Sequence, residues 1–202
     1  MVLTLRNRLK LLIYVGVGLV LLLSMVGNGE GLGISLQRLT YVEAGLFLCI
    51  VLFERWLWKQ RLFLKFLRTG PLLRGTWKGV IRPTGDGDPE IPAFLSVEQT
   101  FSSISLRLMT HESVSESKAV HLSIRDDGLG VVEYSYQNDP RDSVRDRSEI
   151  HYGAVRLEAS GDIPDLLTGS YFTDRRTKGE LEFDGHNPAV SHSHASAERL
   201  FD

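Results

Sequence analysis

The 202-residue sequence lacks the features that mark an enzyme or a disulfide-stabilised secreted protein. Its single cysteine, Cys49, lies in an apolar run and cannot form an intramolecular disulfide, so nothing indicates an oxidising compartment. The sequence has no glycine-rich phosphate loop, no G-x-S-x-G or H-E-x-x-H motif and no cysteine pair. Its Asp86-Gly87-Asp88 stretch is too short for a calcium-binding EF-hand loop. We therefore predict a protein that is not an enzyme and has no metal or other cofactor.

Charge is distributed unevenly along the chain. Residues 1–70 carry nine Lys/Arg and three Asp/Glu, whereas residues 71–202 carry fourteen Lys/Arg and twenty-two Asp/Glu. The first part has a net charge of +6 and the second a net charge of −8. Because the basic part is also the apolar part, the chain is predicted to divide into a membrane region and a soluble domain.

Two apolar segments in residues 1–60 have the length of membrane-spanning helices. We predict spans at about 9–27 and 39–58, because a spanning helix needs roughly 20 mostly apolar residues. A signal peptide is the alternative for the first segment, but the stretch SMVGNGEG has no convincing cleavage site and a second apolar segment follows at once. Lys and Arg lie mainly before the first span and after the second, which predicts that both ends are in the cytoplasm.

Basic residues continue after the second span. Residues 61–73 are predicted to form a basic juxtamembrane linker, and Arg55–Arg68 is predicted to lie along the anionic inner leaflet of the membrane. Glu43 is the one carboxylate that could lie within the bilayer, near the outer end of the second predicted span and close to Arg38. An interfacial position and a role in a pore or helix contact both remain open for Glu43.

From Gly75 onward, apolar and polar residues alternate with a period of two, which is typical of half-buried strands. Turn-forming stretches such as PTGDGDPE, HESV and DDG separate eight predicted strands. Consecutive hairpins predict an all-β, eight-stranded minimal β-barrel of the lipocalin-like, up-and-down type over residues 74–184, preceded by the two-helix transmembrane hairpin. Residues 185–202 are predicted to be disordered, and their His192-x-His194 pair is interpreted as a chance pattern rather than a metal site.

The same alternation predicts which residues face the interior of the barrel. In a meander, alternate strand ends meet at one rim, so polar residues at four strand ends should surround one mouth above an apolar floor. The first strand begins at the opposite rim, so the mouth should face away from the membrane, between loops 83–90 and 139–147. The predicted ligand-binding residues are Thr110, Tyr134, Tyr136, Asn138, His151, Tyr171, Thr173 and Arg175.

These residue types suit a nucleotide ligand. Bases stack on tyrosine and arginine, amides and hydroxyls bond base edges, and arginine binds phosphate. Alternation places Arg175 on the inner face and Arg176 on the outer face, so Arg175 is the predicted phosphate ligand. The alternative interpretation is that Tyr134 and Tyr136 are core residues and that the arginines cap a hairpin beside Asp174.

Several stretches resemble one known family. They are the two apolar segments followed by GTWKGVI, a Thr-x-x-Ser-x-Ser run (Thr110, Ser113, Ser115), YSYQNDP, IHYGAVRL and GSYFTDRRTKGELEF. The family is that of the two-transmembrane, β-strand-rich, SMODS-associating effectors of bacterial CBASS anti-phage signalling. The resemblance covers nearly the whole chain except the tail.

That resemblance implies a barrel that binds a cyclic oligonucleotide, expected to be a cyclic dinucleotide, made by a partner nucleotidyltransferase. It also implies homo-oligomerisation and disruption of the inner membrane, which kills the infected cell. No DNA or RNA polymer is expected as a partner. Two alternatives stay open: a membrane-tethered carrier of a small hydrophobic molecule, and a structural barrel that binds another protein.

Overall fold

The computed structural model describes residues 10, 13–18, 36–60, 70–84 and 89–202. Most of the first predicted span (9–27) lies outside the described residues, as do residues 61–69 of the predicted linker and 85–88 of the first hairpin loop. Residues 13–18 are helical, and helix α1 covers Leu36–Arg55. Among the described helices, none is both long and apolar enough to cross a membrane.

Eight antiparallel strands close into one barrel. Each strand pairs with its neighbours in the chain, and the first also pairs with the last. Every strand therefore has a hydrogen-bonded partner on both sides, and the sheet has no free edge. The predicted eight-stranded up-and-down barrel is confirmed. The strands are β1 Gly75–Pro83, β2 Ile91–Gln99, β3 Ile104–Met109, β4 Ser113–Ile124, β5 Gly130–Pro140, β6 His151–Ala159, β7 Leu167–Thr173 and β8 Lys178–Asn187.

Inward-facing side chains fill the barrel below its mouth. Trp77 and Phe183 are completely buried, together with Leu95 and other aliphatic residues of the alternating pattern. The indole Nε1–H of Trp77 donates to the carbonyl oxygen of Leu73 at 2.9 Å, so the polar atom of this ring is satisfied. The apolar floor predicted from the alternation is therefore present.

One irregularity changes the inward pattern. The pairing of β4 with β5 shifts between Ser117 and Ala119, which leaves Lys118 as the extra residue of a β-bulge. A bulge reverses which residues of a strand face inward. Residues Ser115 and Leu122 therefore both face the interior and are both buried, although one number is odd and the other even.

The last residues of the predicted linker belong to the barrel. Leu73 is 1% exposed and part of the barrel core. The side-chain amide of Gln99 accepts from the backbone N–H of Leu73 at 2.7 Å and donates to the carbonyl of Pro71 at 3.0 Å. These buried bonds fix the chain at the rim where β1 begins, which we call the lower rim.

Helix α1 ends on the β2–β3 turn at the lower rim. The Glu54 carboxylate accepts from the Ser102 backbone N–H at 2.9 Å, the Ser102 hydroxyl at 2.6 Å and the Thr100 hydroxyl at 2.5 Å. Phe101, between these residues, is fully buried against Trp58. Charge-assisted hydrogen bonds and a buried aromatic pair thus join the helix to the end of the barrel opposite the predicted mouth.

The prediction of a disordered tail at residues 185–202 is wrong. Strand β8 continues to Asn187, and helix α2 covers His194–Glu198 with a Ser193–Ser196 capping box. We call residues 188–202 the C-terminal segment. Its Phe201 stacks on Phe94 of β2 at a centroid distance of 5.8 Å. Composition suggested disorder because the segment is polar, but a few small and aromatic residues are enough to dock it on the outside of the barrel.

Candidate ligand-binding site

A cavity of about 660 Å³ opens at the rim opposite helix α1, which we call the mouth. Its walls come from the ends of β1–β8 and from the β3–β4, β5–β6 and β7–β8 connections. Ligand pockets in proteins span roughly 300–1,000 Å³, so this volume suits a ligand the size of two nucleotides. Seven of the eight predicted site residues line the cavity: Thr110, Tyr136, Asn138, His151, Tyr171, Thr173 and Arg175.

Tyr134 does not reach the mouth. It is 4% exposed, lies in the barrel core below Tyr136 and is absent from the cavity wall. Its hydroxyl is buried without a hydrogen-bond partner among the described residues. Burial raises the pKa of this phenol, and the Tyr136 hydroxyl raises it further. Strand alternation correctly placed Tyr134 inside but could not give its depth, and Tyr134 is the one predicted ligand-binding residue that does not line the cavity.

Arg175 places a positive charge at the mouth. It is exposed on the β7–β8 turn, and its guanidinium lies 3.4–3.5 Å from the Ser148 hydroxyl and 3.5 Å from His151 Nε2. Within the described part of the chain, Arg175 forms no ion pair. Its neighbour Arg176 adopts a left-handed backbone conformation, with φ at 63°, and does not line the cavity. The turn therefore separates the two arginines, as the alternation predicted.

His151 lies beside this arginine and is only 8% exposed. Its Nδ1 lies 3.1 Å from the backbone carbonyl of Glu149. Burial lowers the pKa of His151 and the positive charge of Arg175 lowers it further, against the raising effects of the Glu149 carbonyl and Asp174. The ring is therefore mainly neutral at pH 7. A neutral imidazole can donate from one nitrogen and accept at the other.

The lowered pKa of His151 predicts how stability depends on pH. A histidine whose pKa is lower in the folded than in the unfolded state destabilises the protein as the pH falls below about 6.5, the usual value for an unfolded chain. When the pH is lowered from 7.5 to 5.5, the melting temperature of His151→Asn should therefore fall by less than that of the wild type. His121→Asn, which removes an exposed histidine from the outer face, is the control. Equal pH dependence in the wild type and His151→Asn would show that His151 makes no such contribution.

A buried amide lies at the base of the mouth. Asn138 is 7% exposed, and its Nδ2 donates to the hydroxyls of Ser115 at 2.8 Å and Ser113 at 3.0 Å. Its Oδ1 is buried with no partner among the described residues. Since serine hydroxyls both donate and accept, either orientation of the amide leaves one polar end unpaired. A ligand group that pairs with this end would remove a desolvation cost of about 1–3 kcal/mol.

Two tyrosine rings line the mouth, and each packs against a glycine that leaves space for it. A Cβ on Gly153 would lie 2.5 Å from the Tyr136 ring, and one on Gly179 would lie 2.7 Å from the Tyr171 ring. Burial is the main cause that raises the pKa of Tyr136 to about 12, so the phenol remains protonated and can donate a hydrogen bond. Flat aromatic faces next to hydrogen-bonding groups are what a stacked base requires.

Two loops close the sides of the mouth. The β5–β6 loop contains a short 3-10 turn at Asp142–Val144, whose Val144 side chain lines the cavity. This loop is tied to the β3–β4 turn, because the Arg141 backbone N–H donates to the Glu112 carbonyl and Arg147 pairs with the Glu112 carboxylate. The predicted position of loop 139–147 beside the mouth is thus correct.

Sequence reasoning missed two groups of mouth residues. Ser113 and Ser115 were missed because the bulge at Lys118 reverses the alternation counted back from Leu122. His194 and Glu198 were missed because the C-terminal segment was taken as disordered. The Thr-x-x-Ser-x-Ser run was the one available signal for the serines. Among the described residues, no three His, Cys, Asp or Glu side chains lie close enough to hold a metal ion.

A closed barrel with a polar, cationic mouth defines a class of small-molecule receptor in which the barrel interior holds the ligand. Residues 69–184 match the family described as "Cap15, cyclic dinucleotide receptor domain", and the chain belongs to this family. The chain is also similar to the "CD-NTase-associated protein 15" of Staphylococcus schleiferi, with 26% identity over 129 residues, which is 64% of this chain and 68% of the relative. The receptor class that the sequence resemblance implied is confirmed.

Proposed function

We propose that this chain binds a cyclic dinucleotide in the mouth cavity and acts as an effector of bacterial anti-phage signalling. The observation that carries the proposal is Arg175, a cation without an ion-pair partner among the described residues, above a cavity of about 660 Å³. A guanidinium binds a phosphate diester through parallel, charge-assisted hydrogen bonds. Since residues 71–202 carry a net charge of −8, an anionic ligand needs such a local positive site.

Each part of a cyclic dinucleotide finds a suitable partner in the mouth. Arg175, with the Ser148 hydroxyl and neutral His151, is positioned to bond one phosphate. Tyr136 and Tyr171 offer faces for a base, and the unpaired end of the Asn138 amide can pair with a polar group of the base or sugar. These contacts also argue against a carrier of hydrophobic molecules, because such a ligand would leave the buried amide unpaired.

The membrane part of the proposal rests on the two apolar segments of residues 1–60 and on exposed apolar side chains of α1. Phe47, Leu48 and Leu52 of α1 are between 46% and 70% exposed, which is unfavourable in water. A Cβ on Gly16 would lie 3.3 Å from the Ile50 side chain, so the helical residues 13–18 approach α1 closely. Small residues at such contacts are typical of membrane helix pairs. We infer a two-pass helical hairpin in the bacterial inner membrane, with the amino terminus and the barrel in the cytoplasm.

Self-association is supported by the outer face of the barrel. Phe172 is 63% exposed on β7 and Tyr152 is 56% exposed on the neighbouring β6, with Ile150 just before it. Exposed aromatic residues on one patch suit a contact between protein chains. Asp174, whose carboxylate accepts from the Tyr152 backbone N–H at 3.2 Å, links this patch to the turn that carries Arg175. We infer that ligand binding at the turn changes this patch and so favours homo-oligomers that disrupt the membrane.

The proposed ligand source is a partner nucleotidyltransferase, since the similar Staphylococcus schleiferi protein is described as associated with a CD-NTase. Full-length protein reconstituted in dye-filled vesicles of Escherichia coli lipid tests the effector activity. Adding cyclic di-GMP, cyclic GMP–AMP or cyclic di-AMP should release the dye for at least one of the three, and the Arg175→Ala variant should release little. Binding without dye release by any bound ligand would contradict the membrane-disruption part of the proposal.

A further inference from the structure

The C-terminal segment forms part of the wall of the mouth. His194 and Glu198 of helix α2 line the same cavity as Arg175 and Asn138. Both residues lie beyond residue 184, where the match to the receptor family ends. Helix α2 is therefore a part of the cavity that the family match does not cover.

The segment is held firmly against the barrel. The backbone N–H of Ser191, which is 4% exposed, donates to the hydroxyls of Thr76 at 3.0 Å and Ser96 at 3.1 Å. Ala197 is completely buried in a cluster with Phe94 of β2 and Met109 of β3. Buried hydrogen bonds and apolar contacts of this kind hold α2 in one position, so its residues can act as a fixed wall.

Within α2, Glu198 is the acidic residue at the cavity. It is exposed at the cavity, and among the described residues no ion pair or side-chain hydrogen bond involves its carboxylate. The two other acidic residues of the wall are already paired, Glu90 with Arg82 and Glu112 with Arg147. Two carboxylate oxygens side by side accept two parallel N–H donors.

Glu198 and Arg175 lie at different strands of the mouth. Helix α2 packs against β2 and β3, whereas Arg175 lies on the β7–β8 turn, and by the shorter way round the closed barrel, through β1, two strand steps separate β2 from β8. A carboxylate repels a phosphate, so the part of a cyclic dinucleotide that approaches Glu198 is a base. Guanine is the base that presents two neighbouring donors, N1–H and N2–H, on its pairing edge, whereas adenine presents one amine there.

We propose that the C-terminal segment determines which base the receptor accepts, and that the Glu198 carboxylate binds the N1–H and N2–H groups of a guanine. This inference rests on the proposed function, since it assigns a base to the same cavity. Guanine-containing cyclic dinucleotides are therefore the ligand class that fits this chain.

Calorimetric titration of the full-length protein in detergent tests the assignment, with cyclic di-GMP, cyclic di-AMP and cyclic di-UMP as probes. We expect the wild type to bind cyclic di-GMP at least about tenfold more tightly than the other two, because two charge-assisted hydrogen bonds depend on guanine. Glu198→Gln should weaken cyclic di-GMP binding by about tenfold, since an amide offers one acceptor in place of two. Its effect on the other two probes should stay below about threefold.

Glu180→Gln is the matched control, because Glu180 is an exposed glutamate of β8 that does not line the cavity. It should bind all three probes as the wild type does. A preference for cyclic di-AMP or cyclic di-UMP, or a Glu198→Gln variant with wild-type preference, would overturn the guanine assignment and leave the proposed function standing. Failure of the wild type to bind any of the three, or cyclic GMP–AMP, would contradict the proposed function and the assignment together.

Discussion

Replacing Arg175 with alanine should weaken cyclic dinucleotide binding by about 10- to 100-fold, since hydrogen bonds to a charged group contribute about 1.5–3 kcal/mol. The side chain is exposed and forms no ion pair among the described residues, so its removal should leave the fold intact. Titration calorimetry of the full-length variant in detergent measures the loss, and an unchanged melting temperature would confirm that the barrel remains folded.

Arg176→Ala provides a control in the same turn. It removes the same charge from the adjacent residue, but Arg176 does not line the cavity. If the two arginines acted only through the electrostatic potential of the turn, the two variants would lose affinity equally. We expect Arg176→Ala to change affinity by less than about threefold. Equal losses would contradict a direct contact between Arg175 and phosphate.

Replacing Phe183 with alanine should have the largest effect on stability. Phe183 is fully buried in the barrel core, and its ring packs closely against Gly79, where a Cβ would lie 2.6 Å from the ring. Replacing a buried phenylalanine by alanine costs about 3–5 kcal/mol in the free energy of unfolding, because the apolar contacts are lost and a cavity remains. Chemical denaturation of the full chain in detergent, followed by far-ultraviolet circular dichroism, measures this difference.

Phe172→Ala makes the same chemical change on the neighbouring strand. Phe172 is 63% exposed on the outer face, so its loss should change the free energy of unfolding by less than about 0.5 kcal/mol. The same variant should weaken ligand-driven self-association, because Phe172 is central to the exposed outer patch. A loss of stability in Phe172→Ala as large as in Phe183→Ala would contradict the assignment of inner and outer faces.

The barrel could be predicted from the sequence because its main signal is local. Period-two alternation and turn residues repeat through the soluble domain, and consecutive hairpins leave few ways to pair the strands. The same alternation predicted that Asn138, His151 and Arg175 lie at one rim, because the ends of alternate strands meet there when neighbouring strands pair in the expected register.

The remaining features depend on packing, which alternation does not describe. Lys118 is an extra residue in β4, and no residue type there signals that it will be left out of the pairing. Tyr134 has the same inward parity as Tyr136, and only the closed barrel shows that it lies deeper. The C-terminal segment is ordered through long-range contacts such as that between Phe201 and Phe94, which composition alone cannot reveal.

Binding of a cyclic dinucleotide inside the mouth can be measured directly with a variant whose mouth is blocked. Thr177 lines the rim beside Arg175 and is exposed, so Thr177→Trp should place a large ring across the opening, and Thr177→Val, which also loses the 2.7 Å hydroxyl bond to Thr173, is the control. Calorimetric titration with the tightest-binding cyclic dinucleotide should give one saturable site per barrel in the wild type and no measurable binding in Thr177→Trp. Undiminished binding by the blocked variant, or no cyclic dinucleotide binding by the wild type, would contradict the account.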